Sequence, residues 1–176
     1  MPFVAATVTG LGSGTVALPV GARSGVVTIT DTSSSRFRDS AIDTGGASTG
    51  DEIVNTVGDY SGVPAVGVQS TGTIPSTLLV DTDGPGSIRL SLLGDTLQLG
   101  VPTEGSADRV FRYGGADCDL ALRSTGSPVF EMRQITEQRA PRIIAFESTG
   151  VFSGSGPIFE GSSIKVSHSR GDWIVR

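Results

Sequence analysis

The chain holds one cysteine, Cys118, one lysine, Lys165, one histidine, His168, and one tryptophan, Trp173. A lone cysteine excludes an intrachain disulfide, and with it the small secreted domains that several disulfides staple together. One histidine and one cysteine are also too few for an ordinary zinc site, which would have to fall back on carboxylates. Thirteen basic residues stand against eighteen acidic ones, a formal net charge of −5. No basic patch is present to neutralise phosphates, so no nucleic-acid partner is expected. No apolar run approaches the length of a membrane helix. The opening residues, MPFVAATVTGLGSG, lack both the cationic start and the apolar core of a signal peptide. The expectation is a soluble chain made in a cytoplasm, without a membrane. Aromatic platforms for sugars are scarce too, with Tyr60 and Tyr113 the only tyrosines beside Trp173.

What is present is punctuation. The 176 residues include 25 Gly and 9 Pro, with 37% apolar and only 18% charged residues. Turn formers between short β-branched runs point to strands and away from helices. The length suits one domain of ordinary size or two small ones. The expected class is all-β: a β-sandwich or barrel-like domain, or domains, of short antiparallel strands with long loops and at most one short helix. The chain is read as a single all-β unit over 1–176, its weakest point at residues 100–107 (VPTEGSA after Gly100).

Along the chain, residues 3–9 and 15–20 are apolar runs separated by the turn cluster GLGSG. In SGVVTITDTSSS, Val27 and Ile29 alternate with Val26, Thr28 and Thr30, the period of a strand with one buried face. Residues 36–52 offer only Phe37 and Ile42 as large apolar side chains and read as a long loop with one short strand near Ile42. The stretch 77–99, with turns at DGPG and LGD, reads as a meander of three strands. In SPVFEMRQITEQRAPR, Val129, Met132 and Ile135 fit a helical face, while Phe130, Met132, Gln134 and Thr136 fit a strand, which leaves both forms open. Four STG tripeptides begin at 48, 70, 124 and 148; their unequal spacings are not a repeat and mark turns.

The tail IFEGSSIKVSHSRGDWIVR contains Arg170-Gly171-Asp172. As a recognition tripeptide it would grip a cell-surface receptor; as backbone chemistry it is the turn of a hairpin, with Gly171 supplying the permissive φ. Centring the turn there sets His168 against Trp173 and Val166 against Val175, one apolar stripe. The hairpin reading accounts for the whole tripeptide. His168 is then a packed strand residue and not a base. Asp81 and Asp83 in VDTDGPGS resemble a fragment of a calcium loop, but the twelfth position counted from Asp81 is Leu92 where an acid is needed. Asp39, Asp43, Asp51 and Glu52 lie in the 36–52 segment and read, like the first pair, as solvated turn residues. No Ser elbow precedes a helix and no phosphate-cradling loop occurs. No cofactor and no enzymatic activity are expected.

The tail, with its Gly-Ser turn, alternating strand, polar turn and terminal Trp-Ile-Val, resembles the closing hairpin of tailed-phage fibre and virion-surface proteins. TVALPVGARSGVVTITDTSSS resembles their companion pattern, in which a Leu-Pro strand leads into G-x-x-x-x-I-x-D/N-x-S. The resemblance spans roughly residues 14–35 and 158–176 and leaves 36–157 unassigned. It implies a homotrimeric or otherwise multivalent β protein of the virion surface, a capsid decoration or tail-fibre component contacting capsid or tail proteins. Phe3, Val4 and Val8, in the apolar N-terminal run, are the expected partner contacts. The competing class is a free glycan- or receptor-binding module of the adhesin type.

Overall fold

A computed structural model describes residues 4–68, 73–125, 130–136, 139–147, 150–168 and 171–176. Among these are eighteen strands, one 3-10 turn at Leu93–Asp95 and no α-helix. The chain divides into two compact units, Met1–Asp95 and Thr96–Arg176. The division falls at the end of the 3-10 turn, shortly before the stretch 100–107 singled out above.

Unit 1 is a sandwich of two antiparallel sheets. One sheet runs, in spatial order, β1 (Ala6–Leu11), β9 (Pro85–Ser91), β3 (Gly25–Asp31) and β6 (Tyr60–Gly62), with β7 (Ala65–Val66) also on β3. The other runs β2 (Gly14–Ala17), β8 (Thr77–Asp81), β4 (Arg36–Ile42) and β5 (Ser48–Val57). Inward residues of both meet in one core that includes Val27, Ile29, Phe37, Leu78, Val80, Ile88 and Leu90.

Unit 2 has the same plan. Its first sheet runs β11 (Thr103–Gly105), β18 (Trp173–Val175), β13 (Cys118–Ser124) and β16 (Phe152–Ile158). Its second runs β12 (Arg109–Arg112), β17 (Ser163–His168), β14 (Phe130–Thr136) and β15 (Arg139–Glu147), and β10 (Leu97–Gln98) lies parallel on the free side of β12. Leu120, Leu122, Met132, Ile158, Ile164, Val166, Trp173 and Val175 belong to its core. Setting β7 and β10 aside and counting along the chain, both units place strands 1-8-3-6 in one sheet and 2-7-4-5 in the other. That is the strand order of a jelly roll, two sheets joined by Greek-key connections.

The likeness extends to single residues. Ile29 pairs with Gly62 and Asp31 with Tyr60; Leu122 pairs with Gly154 and Ser124 with Phe152. Asp39 pairs with Val80 as Met132 pairs with Val166. The hairpin β4–β5 slips register just after Asp39, and β14–β15 just after Met132. Phe37 stacks on Tyr60 at 5.7 Å, and at the matching places Phe130 stacks on Phe152 at 5.7 Å. Both second rings fold over a glycine two residues on: a Cβ at Gly62 or Gly154 would sit 2.7 or 2.9 Å from the nearest ring carbon, so a larger residue there would have to displace the ring. Unit 2 is therefore a second copy of unit 1 in register, not only in topology.

Several sequence expectations change in this light. Residues 36–52 are not a long loop but β4, a tight turn and β5. Asp39 occupies an inward position between Phe37 and Ala41 and so hides the alternation. The turn is built by the Asp43 carboxylate, which accepts from the main-chain N–H of Gly45 at 2.8 Å and Ala47 at 2.9 Å. Phe130–Thr136 is a strand. The 77–99 meander does not form: β8 and β9 lie in different sheets, and DGPG carries the chain from one to the other. The terminal hairpin does not form either. β17 pairs with β12 and β14, whereas β18 pairs with β11 and β13. Val166 and Val175 still share a core, but across the sandwich. His168 is paired with Phe130 and not with Trp173. In a jelly roll most consecutive strands alternate between sheets, so neighbours along the chain are seldom neighbours in a ladder.

Candidate functional site

The residues singled out from sequence do not converge. Val4 is 86% exposed and Val8 42% exposed, and every residue of β1 is exposed; Phe3 lies outside the described residues. Gly171 has φ near 111°, a backbone setting that suits glycine, while Arg170 and the His168 side chain lie outside the described residues. Asp39 is wholly buried in the unit 1 core, Asp43 makes the turn described above, and Glu52 pairs with Arg38 at 3.2 Å on the surface. The Asp51 side chain lies outside the described residues. Among the described residues no three His, Cys, Asp or Glu side chains are placed to share a metal ion.

Asp81 and Asp83 act as clasps. The Asp81 carboxylate accepts from the Ser13 hydroxyl at 2.9 Å, tying the β1–β2 turn to the end of β8. Asp83 accepts from the Ser33 hydroxyl at 2.5 Å, the Ser34 hydroxyl at 2.7 Å and the Ser34 N–H at 3.0 Å. Those hydrogen bonds, Ser33 first, hold its carboxyl well below the usual carboxylate range. The run TSSS that follows β3 is thus half of a clasp whose other half is TDGPG.

Beside this clasp lies the most constructed site in unit 1. Asp31, at the end of β3, is 3% exposed and accepts from the Thr82 hydroxyl, 3.0 Å from each carboxylate oxygen. The Thr82 hydroxyl in turn accepts from the Gly84 N–H at 3.1 Å. Burial raises the Asp31 carboxyl above its ordinary pKa, and the Thr82 hydrogen bond offsets part of the rise. Asp31 borders two spaces. One is a shallow outer cleft with Asp59, Tyr60 and Ser87. The other is a cavity of about 210 Å³ between the sheets at the β1–β2 corner. Val8, Val16, Ile29, Phe37, Val80 and Ile88 supply its apolar walls, and Asp31 and Thr82, with the hydroxyl residues Ser13, Thr15, Thr30 and Ser87, its polar side. Leu11 and Gly14, at the corner, are exposed and form its rim. The sequence gives Asp31 no mark of a site, because its place opposite Gly86 follows from a pairing remote along the chain.

Neither a family model nor a curated protein sequence matches the chain.

Proposed function

We propose that this chain is a non-enzymatic structural protein of a phage virion, a capsid decoration or tail-fibre component that acts by multivalent assembly on the particle surface. The sequence resemblance over residues 14–35 and 158–176 supports this reading. So does the fold, since jelly rolls recur in capsid domains, an argument by analogy that lectins of the same fold share. The observation that carries it is β1. This strand pairs with β9 on one side only, exposes all six of its residues and leaves its other edge unpaired among the described residues. A strand edge of this kind presents a row of main-chain N–H and C=O groups to which a neighbouring sheet can add. Symmetry then multiplies weak contacts into a durable assembly, here a homotrimer seated on capsid or tail proteins.

Light scattering on the purified protein is expected to give three times the 18.0 kDa mass of the chain. A chain lacking residues 1–9 is expected to be excluded from particles. A monomer that selects one sugar on a glycan array would overturn the proposal in favour of a free glycan-binding module, and hydrolysis of a host polysaccharide would overturn its non-enzymatic character.

A further inference from the structure

The two copies differ most at one corner. Strand register makes the comparison position by position. Gly10 pairs with Gly86 on β1–β9, and Gly105 pairs with Trp173 on β11–β18. Asp31 pairs with Gly86, and Ser124 with Trp173. Val16 pairs with Leu78, and Phe111 with Ile164. Gly86 therefore stands where unit 2 has Trp173, Val16 where it has Phe111, and Asp31 where it has Ser124.

In unit 2 the corner is filled. Trp173 is 2% exposed and meets Phe111 edge-on at 5.9 Å. Its ring covers Gly105, where a Cβ would come within 2.6 Å of the indole. The indole N–H donates to the Ala107 carbonyl at 3.0 Å, in the turn between β11 and β12. In unit 1 the same corner is the cavity of about 210 Å³. Nothing lies within 4 Å of a Cβ built on Gly10 or Gly12.

The vacancy is also defended. A Cβ on Gly86 would lie 2.8 Å from an Asp31 carboxylate oxygen and 3.1 Å from the Thr30 carbonyl, so a side chain could fill this space from position 86 only by displacing the Asp31 carboxylate. Protein interiors are close-packed, and an aliphatic cavity of ~150 Å³ already admits a benzene ring. This one has room for a bicyclic ring, with apolar walls for its faces and a buried carboxylate beside it.

We propose that the β1–β2 corner of unit 1 is a binding site for an indole-sized planar aromatic group that carries an N–H donor. The apolar walls take the ring, and Asp31 accepts the N–H. Such a group arrives either as a tryptophan side chain on a neighbouring protein or as a free aromatic molecule. Trp173 shows how the fold holds an indole, and Asp31 marks the change from holding its own ring to admitting another.

The test is an NMR titration of the isotopically labelled full chain with indole and, separately, with N-acetyltryptophanamide. Saturable shifts are expected at the amides of Gly10, Val16, Asp31 and Gly86, with those of Gly105, Phe111, Ser124 and Trp173 unmoved. Tighter binding of the capped tryptophan identifies a neighbouring chain as the source, and tighter binding of indole a free ring. Val16→Phe, the residue of unit 2, is expected to weaken indole about tenfold, a loss of about 1.4 kcal/mol, while the fold is retained. The pair Asp31→Ser with Gly86→Trp is expected to abolish binding by rebuilding the unit 2 corner. No saturable shift with either probe overturns the proposal, as does indole binding in Val16→Phe at native strength. The titration reads binding whatever the oligomeric state, so it stands or falls apart from the virion reading.

Discussion

Units 1 and 2 share strand order, ladder register, the slip in the β4–β5 and β14–β15 hairpins and the pair of stacked rings, yet they spend their interiors differently. Unit 2 lays Trp173, Phe111 and Met132 into its core, whereas unit 1 places Gly86, Val16 and Asp39 at the same positions. Backbone geometry thus survives large changes of side-chain volume and polarity, because ladder hydrogen bonds and the aromatic–glycine contacts pin the strands independently of what fills the centre. At this corner the copy with smaller and charged residues is the one with a cavity lined by its core side chains.

The largest expected effect is on the filled corner. Trp173→Ala removes an indole from close packing and should cost unit 2 about 3–5 kcal/mol, as large aromatic deletions do. Hydrogen exchange should show β13, β17 and β18 losing protection while β3, β4 and β8 keep theirs. Equal loss in both units would mean that the two cores do not behave as the separate clusters they form.

Asp39 provides the next. Neither of its carboxylate oxygens makes a hydrogen bond of good geometry, and burial, eased slightly by the Ser40 main-chain N–H, pushes its pKa up to about 7 from 3.8. The folded state therefore holds a proton that the unfolded chain releases. Stability should fall as the pH rises from about 4 to about 7 and level off above, by at most about 4 kcal/mol. Asp39→Met, which copies Met132, should erase that slope and raise stability at pH 8. Denaturant unfolding of both proteins across this range measures it; an unchanged slope in Asp39→Met would assign the pH dependence to other groups.

The smallest effect is the sharpest comparison. Gly105→Ala drives a Cβ into the Trp173 ring and should cost about 1–3 kcal/mol by overpacking. Gly10→Ala, at the matching position, meets nothing within 4 Å and should change stability by less than about 0.5 kcal/mol. Thermal unfolding of the two variants reads the contents of each corner directly.

Much of this fold is legible along the chain. The alternation of Val27 and Ile29, or of Ile164 and Val166, follows from the two-residue period of a strand and marks buried faces correctly. The GLGSG cluster marks a real turn, and Gly171 takes the positive φ that its place in the sequence suggests. The reading failed at Phe37, Asp39 and Ala41, where a carboxyl on a buried face broke the apolar pattern, and at β8–β9 and β17–β18, where two strands around a short turn looked like a hairpin. The corner site was out of reach, because a cavity is made by side chains that are absent from Gly10 and Gly86 and by walls drawn from six strands.

Composition and periodicity by themselves determined that this protein is all-β, that its strands are short and punctuated by glycine, and which face of most strands is buried, since these depend on local sterics and on the exclusion of apolar surface from water. Tertiary structure alone decided which strand lies beside which, that the second half repeats the first, and that one copy closes over its own tryptophan while the other keeps an aspartate beside an open pocket. Alternation specifies a face but not a partner, and many combinations of side chains satisfy the same ladder. Only the folded arrangement sets Gly86 and Trp173 at the same position.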